Sequence, residues 1–156
     1  MDVLQWIGKI FTNPFALTAL SAWGSAQIIK TILFLIINKK FDITRMFGDG
    51  GMPSGHSATV TSLCVISALV RGPSSFEFAV TFVLAIIVCH DATGVRMETE
   101  KQTFLINELV KAFDELYYEK LPEVKLKKFV GHTTIQVAAG VLLGAAVAVA
   151  MYFLMF

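Results

Sequence analysis

Long apolar runs alternate with polar segments along this chain, and their lengths predict its architecture. A membrane-spanning helix needs about 20 mostly apolar residues. Four runs approach that length, at residues 15–37, 54–70, 76–90 and 133–156. The second run is unusually polar, because it contains Ser57, Thr59, Thr61, Ser62 and Ser67. The pattern predicts an all-α integral membrane bundle of about four transmembrane helices.

Two other segments predict amphipathic surface helices. Their apolar residues recur at intervals of three and four, which places them on one face of a helix that can lie on a membrane. These residues are Val3, Leu4, Ile7, Ile10 and Phe11 near the N-terminus, and Leu105, Leu109, Ala112, Phe113, Leu116 and Tyr117 in the second half. The N-terminal segment has no small-residue cleavage site, so we interpret it as retained and not as a signal peptide.

The composition is that of a membrane protein. Of 156 residues, 55% are hydrophobic and 16% are charged, whereas about a quarter are charged in soluble domains. No linker-like or low-complexity stretch divides the chain, so we interpret residues 1–156 as one transmembrane domain. The net charge of +1, without a basic stripe, gives no indication of a nucleic-acid partner. Cys64 and Cys89 fall inside apolar runs and are interpreted as small core residues.

The basic residues predict the orientation in the membrane. With four spans, the polar segments 38–53 and 94–132 lie on the same side, and together they carry ten lysines and arginines. The opposite side has two, Lys9 and Arg71. Because positive residues stay inside, we expect an integral protein of a bacterial plasma membrane with both polar segments facing the cytoplasm.

A histidine stands at the start of the polar second run, in the sequence Gly-Gly-Met-Pro-Ser-Gly-His-Ser at residues 50–57. Pro53 and Ser54 suit the first positions of a helix. The unpaired N–H groups of a first helical turn, together with the helix dipole, form an anion site. His56 lies one turn inside, where its ring can give a proton to a bound anion. The alternative is a helix cap beside an interfacial histidine.

The last apolar run begins with a second histidine, His132. Gln136, Gly140, Gly144 and Ala148 follow it at intervals of four, so all five share one helix face with small residues that permit close packing. We expect His132 and Gln136 to point into the bundle, where an ionisable group favours a functional role. Small residues alone favour packing only, and dimerisation through this stripe is also open.

Three motifs extend over most of the chain. They are Met-Pro-Ser-Gly-His-Ser-Ala at 52–58, Asp-Ala-Thr-Gly-Val-Arg at 91–96 with Lys101-Gln102, and Gly131-His132-Thr133 with Val137 and Gly140. Together they resemble the divergent branch of the type-two phosphatidic acid phosphatase superfamily. The wider superfamily includes membrane lipid phosphatases and vanadium haloperoxidases.

The resemblance implies a membrane phosphatase that uses neither metal nor cofactor and whose partners are the membrane and a lipid phosphate substrate. It implies His132 as the nucleophile that forms a phosphohistidine and His56 as the general acid. The implied phosphate-binding residues are Arg45, Arg96 and Lys101 together with Ser54, Gly55 and Ser57. Phosphoryl transfer needs such positioning and positive charge around the phosphate oxygens.

The chain departs from the family pattern at four positions, one of which is Thr134, where the divergent branch tends to carry a proline. Leu126 stands where an arginine is usual, and Asn38 where a lysine is usual. Gln136 stands where the divergent branch has a glutamate to orient the nucleophile, so we expect Gln136 or Asp91 to orient His132. These departures favour, as an alternative, a non-catalytic phosphate- or lipid-binding membrane protein. A small transporter that uses the polar second helix is a third hypothesis.

Other polar residues have simpler interpretations. His90 and Asp91, with His56 and His132, could form a metal site, and Asp91 with Arg96 could be a structural ion pair. Lys30, inside the first apolar run, is interpreted as a residue that snorkels or pairs locally and does not bind substrate. The acidic residues between 98 and 123 are interpreted as a solvated helix face.

The predicted orientation can be tested by cysteine labelling of intact cells. In a background without the two native cysteines, Asp49→Cys and Lys120→Cys should resist a membrane-impermeant maleimide until the cells are permeabilised. Ser74→Cys, in the turn on the opposite side, is the positive control. Efficient labelling of positions 49 and 120 from outside would mean that the topology is inverted.

Overall fold

A computed structural model describes residues 2, 8–9, 11–39, 51–117 and 133–156. These residues form five long helices and no β-strand. The helices are α1 (Pro14–Asn38), α2 (Gly55–Arg71), α3 (Phe76–Thr93), α4 (Val95–Tyr117) and α5 (Thr134–Met155). Four of them coincide, within three residues at each end, with the apolar runs in the sequence. The predicted all-α fold class is confirmed.

The helix starts are set by side chains that accept hydrogen bonds from first-turn N–H groups, as such caps generally do. Asn13 Oδ1 accepts from the N–H groups of Phe15 and Ala16, at 2.9 and 3.3 Å, and Pro14 follows it at the first helical position. Ser75 caps α3 in the same way, and Gly72, Pro73 and Ser74 before it form a short turn between α2 and α3. Since that turn is short, α2 and α3 run antiparallel.

Helix α2 lies at the centre of the bundle, where it packs against α1, α3 and α5. Its serines Ser57, Ser62 and Ser67 are buried. The hydroxyls of Ser62 and Ser67 donate to the carbonyls of Thr59 and Leu63 in their own helix, each at 2.8 Å. Small side chains with internal hydrogen bonds allow neighbouring helices to approach α2 closely. The second run is therefore polar because protein, and not lipid, surrounds it.

Three of the described helices, α1, α3 and α5, are long and apolar enough to cross a membrane. Helix α2 has 17 residues, or about 25 Å at 1.5 Å per residue, and its polarity separates it from the other three. Large apolar side chains on the outside of α3, such as Phe82, Val83 and Ile87, are exposed. Exposed apolar surface of this extent suits contact with lipid. The chain is thus a membrane helical bundle.

Helix α5 approaches α2 at van der Waals distance through glycines. A methyl group built on Gly140 would lie 2.5 Å from the Ser54 carbonyl oxygen, and one built on Gly144 would overlap the backbone of Ala58. Val137, Gly140, Gly144 and Ala148 are the buried residues of α5, so the predicted close packing is confirmed. Because α2 covers this stripe, dimerisation through Gly140 would require a different arrangement of the two helices.

Helix α4 forms the predicted amphipathic helix of the second half. Phe104, Leu105, Leu109 and Phe113 are exposed, while the pairs Lys101–Glu98 and Lys111–Glu108 occupy exposed positions at 2.6 and 2.8 Å. The acidic residues of these two pairs lie on a solvated face, as expected. In the N-terminal segment only Gly8, Lys9 and Phe11 are described as helical, and most of the apolar face predicted there lies outside the described residues.

The contact between α2 and α5 can be tested with two glycine substitutions. Gly144→Ala should lower the free energy of unfolding by about 1–3 kcal/mol, a typical result of overpacking, because its methyl group meets backbone atoms that cannot move aside. Gly24→Ala is the matched control, since nothing lies within 4 Å of the added methyl group. It should stabilise α1 by about 0.5–1 kcal/mol through helix propensity.

The measurement is the thermal unfolding midpoint of each variant and of the wild type in the same detergent. Equal midpoints for Gly144→Ala and Gly24→Ala would contradict the close approach of α5 to α2.

Candidate functional site

The start of α2 is a buried and tightly hydrogen-bonded structure. Ser54 Oγ accepts from the Ser57 N–H at 3.3 Å and from the Ser57 hydroxyl at 3.0 Å. Ser54, Gly55 and Ser57 are buried, whereas His56 is exposed. The N–H groups of Gly55 and His56 belong to the first turn, where the helix provides no carbonyl to accept from them. The predicted cap at Ser54 is confirmed, and the binding of an anion by first-turn N–H groups stays a prediction.

The start of α5 is a capping box formed by Thr133 and Gln136. Thr133 Oγ1 accepts from the Gln136 N–H at 3.4 Å, and Gln136 Oε1 accepts from the Thr133 N–H at 3.1 Å. A Thr-x-x-Gln sequence is a recognised signal for this arrangement, which could have been identified from the sequence. The orienting role predicted for Gln136 toward His132 stays a prediction, because His132 lies outside the described residues.

One backbone hydrogen bond joins these two helix starts. The Ser54 N–H donates to the Gln136 carbonyl at 3.0 Å, and Gly140 lies directly against Ser54 one turn further along α5. The structure therefore holds two of the three sequence motifs together. Gln136, which follows His132 by four residues in the sequence, thus lies beside the start of α2.

Lys30 on α1 is the residue whose position the sequence did not indicate. Its side chain is 6% exposed, so it does not extend to the membrane surface as snorkelling would require. A methyl group built on Gly55 would lie 3.6 Å from Lys30 Nζ and 3.6 Å from Trp23 Cδ1. Lys30 and Trp23 therefore cover the face of Gly55 that points toward α1. A lysine deep inside an apolar run was the one available signal, since ionisable residues in spans are commonly functional.

A cavity of about 420 Å³ extends from Lys30 toward the C-terminal end of α1. The remaining residues that line it are Leu33, Phe34, Ile37, Asn38, Gly51, Met52 and Gln136. Gly51 has a φ of +101°, a backbone conformation that favours glycine, and it places the chain before α2 beside the Lys30 methylene groups. The cavity thus has Lys30 at one end, an apolar wall, and amide side chains at Asn38 and Gln136.

The other predicted site residues are only partly described. Asp91 is half-buried in the last turn of α3, at the end of the bundle where α2 starts, because α3 is antiparallel to α2. Lys101 lies on the exposed surface of α4, where its amino group pairs with Glu98. Arg45 and the side chain of Arg96 lie outside the described part. The convergence of Arg45, His56, Arg96 and His132 on one phosphate therefore remains a prediction.

The hypothesis of a metal site also remains untested. Among the residues that the structure describes, no three His, Cys, Asp or Glu side chains come together to hold a metal ion. His132, a member of the hypothetical cluster with His90 and Asp91, is not among them.

Comparison with known proteins identifies the family. The model of the divergent PAP2 family matches residues 11–147. A protein of Bacillus subtilis (strain 168) named "Uncharacterized membrane protein YuiD" is 39% identical over 145 residues, which cover 87% of this chain and 92% of that protein. No solved structure gives a significant match. The match over most of the chain, together with the three motifs and the helical membrane fold, shows that this protein belongs to the divergent PAP2 family.

Proposed function

We propose that this protein is a metal-independent membrane phosphatase or phosphotransferase that acts on a lipid-linked phosphate. The observation that carries the proposal is the hydrogen bond between the Ser54 N–H and the Gln136 carbonyl, at 3.0 Å. It joins the helix start suited to bind a phosphate to the helix that follows His132. Membership of the divergent PAP2 family and the membrane fold support the same conclusion.

The proposed reaction has two steps. In the first, a ring nitrogen of His132 attacks phosphorus, the bond from phosphorus to the lipid oxygen breaks, and His56 donates its proton to the departing alkoxide. In the second, water attacks the phosphohistidine and releases phosphate, with His56 taking a proton from the water. Exposure of the His56 ring at the start of α2 is suited to both proton transfers.

Stabilisation of the transferring group would come from fixed donors. Charge on the phosphoryl oxygens is stabilised by preorganised N–H groups and cations, and the first turn of α2 supplies the Gly55 and His56 N–H groups. The burial of Ser54, Gly55 and Ser57 keeps this turn rigid, so the donors need no reorganisation during the reaction. We place this site at the cytoplasmic side of a plasma membrane, following the distribution of basic residues.

A non-catalytic phosphate- or lipid-binding protein is the second candidate function. It is favoured by Gln136, whose amide oxygen bonds to the Thr133 N–H and carries no charge. An amide cannot offset the positive charge that forms on a phosphorylated histidine, as a carboxylate would.

The histidines provide the direct test of catalysis. Purified protein should release phosphate from at least one member of a panel of phosphatidic acid, phosphatidylglycerol phosphate and polyprenyl phosphates, and EDTA should leave that activity intact. His132→Ala should abolish turnover because it removes the nucleophile. His56→Ala should reduce turnover by about 10²- to 10⁴-fold, the usual contribution of a general acid. Lys111→Met, at an exposed ion pair, is the control. Turnover by His132→Ala at the wild-type rate would eliminate the phosphohistidine mechanism.

The orienting group can be identified with a second set of variants. Gln136→Glu keeps a side chain able to close the capping box, and a carboxylate is favourable at a helix start, so the fold should be preserved. If position 136 orients His132, this substitution should raise phosphate release by roughly 10- to 100-fold, the scale of comparable hydrogen-bonded partners. If Asp91 performs that role, Gln136→Glu should have little effect and Asp91→Asn should lower the rate. Initial rates on the best substrate distinguish the two.

A further inference from the structure

A second cavity lies at the end of the bundle opposite to Ser54, where α2 ends and α3 begins. Its volume is about 420 Å³, within the range of about 300–1,000 Å³ that is usual for ligand pockets. The start of α1, the second half of α2 and the start of α3 line it. Among the described residues that line it, none belongs to the proposed phosphatase site, so an inference about this cavity does not rest on the proposed function.

The cavity is a groove between α1 and α3. Both helices pack against α2, whereas no Cα atom of α1 comes within 8 Å of a Cα atom of α3 along the described lengths of the two helices. Leu63, Ser67 and Arg71 follow at intervals of four, so one face of α2 forms the floor of the groove. Phe76 and Val80, which are exposed, form its wall on α3. The groove therefore opens toward the outside of the bundle, where lipid lies.

The groove is charged at the membrane surface and apolar further in. Arg71 is the last residue of α2, and Glu77 lies in the first turn of α3. Leu63 lies eight residues before Arg71, or about 12 Å deeper along the helix axis. The hydroxyls of Ser67 and Thr81 donate to carbonyls four residues earlier in their own helices, each at 2.8 Å. An amphiphile with its charged group at Arg71 thus directs its chain into the membrane.

The mouth of the groove presents one positive and one negative group. Arg71 Nε lies 3.8 Å from Glu77 Oε1, and both side chains are about half exposed. This pair is looser than a charge-assisted hydrogen bond, which is about 2.7–2.9 Å long. The Arg71 guanidinium also lies over the Phe15 ring, 5.8 Å from its centroid, an attractive contact that holds the cation between α1 and α3. A ligand group that carries both charges can therefore exchange one loose ion pair for two hydrogen-bonded ones.

We propose that this groove binds a zwitterionic phospholipid whose headgroup contains a primary ammonium. The phosphate accepts hydrogen bonds from Arg71, the ammonium donates to Glu77, and one acyl chain lies along α2 toward Leu63. Two carbon atoms separate the phosphate oxygen from the ammonium nitrogen in such a headgroup, which suits protein charges that stand 3.8 Å apart. A trimethylammonium has no N–H to donate, and Glu77 repels a headgroup that lacks a cation. The groove should therefore discriminate between phospholipids.

Native mass spectrometry of the purified, delipidated protein tests this inference, because it measures the affinity for single lipids and the oligomeric state together. The probes are the dioleoyl forms of phosphatidylethanolamine, phosphatidylcholine and phosphatidylglycerol, which share their chains and differ in the headgroup. Phosphatidylethanolamine should bind about 10-fold more tightly than either of the others, the difference expected for one hydrogen bond to a charged group.

Two variants test the headgroup contacts. Glu77→Gln should lower the affinity for phosphatidylethanolamine by about 10-fold and leave that for phosphatidylcholine unchanged, because only the ammonium is proposed to donate to Glu77. Arg71→Gln should weaken all three lipids by about 10-fold, because each contains the phosphate. The matched controls Glu108→Gln and Lys111→Gln remove the charges of an exposed ion pair on α4 and should bind as the wild type does.

Two further variants test the path of the acyl chain. Val80→Trp should weaken all three lipids by about 10-fold, because the indole ring occupies the groove. Val83→Trp is its matched control, since Val83 is also exposed on α3 but does not line the groove. Equal lipid affinities of these two variants would overturn the placement of the chain.

Three results would overturn the proposal as a whole. Equal affinities of the wild type for phosphatidylethanolamine and phosphatidylcholine, unchanged by Glu77→Gln, would mean that lipid only solvates the bundle. Tightest binding of phosphatidylglycerol would assign the groove to an anionic lipid. A lipid-free dimer that Val80→Trp separates into monomers would mean that a second copy of the chain covers the groove. If Arg71→Gln does not fold, the headgroup comparison on the wild type and on Glu77→Gln decides.

Discussion

The close contact between α5 and the start of α2 is the constraint on which the site depends. Gly140 lies against the Ser54 carbonyl, and the Ser54 N–H donates to Gln136 one turn earlier. A larger residue at position 140 would push the two helices apart and break that hydrogen bond. Because backbone atoms make the contact, its geometry is nearly independent of side-chain rotation, and the first turn of α2 is held at a fixed place relative to α5.

A polar helix at the centre of a membrane bundle follows from the same packing. Helices α1, α3 and α5, which are more apolar than α2, surround it. The hydroxyls of Ser62 and Ser67 therefore face protein and bond to carbonyls of their own helix. This arrangement satisfies the polar groups without water and keeps side-chain volume small. In turn, small volume allows α1 to bring Trp23 and Lys30 up to Gly55.

The proposed chemistry depends on the burial of the start of α2. Phosphoryl transfer depends on donors and cations that are already in position, and donors that are shielded from water act more strongly than exposed ones. Lys30, which lies beside Gly55, is about 12 Å along α1 from Asn38. The cavity beside Lys30 has an apolar wall along α1 and the amide side chains of Asn38 and Gln136.

The sequence by itself determined the helices, since apolar runs of span length and capping residues such as Asn13, Ser54 and Ser75 are local signals. It also determined the family, through motifs that require no knowledge of contacts. Only the tertiary structure decided that the polar run is the central helix and that Ser54 bonds to Gln136. It alone decided that Lys30 lies beside Gly55, 25 residues away in the chain. Periodicity indicates which face of a helix a residue occupies, but the partner of that face depends on how helices pack, and packing is a property of the whole bundle.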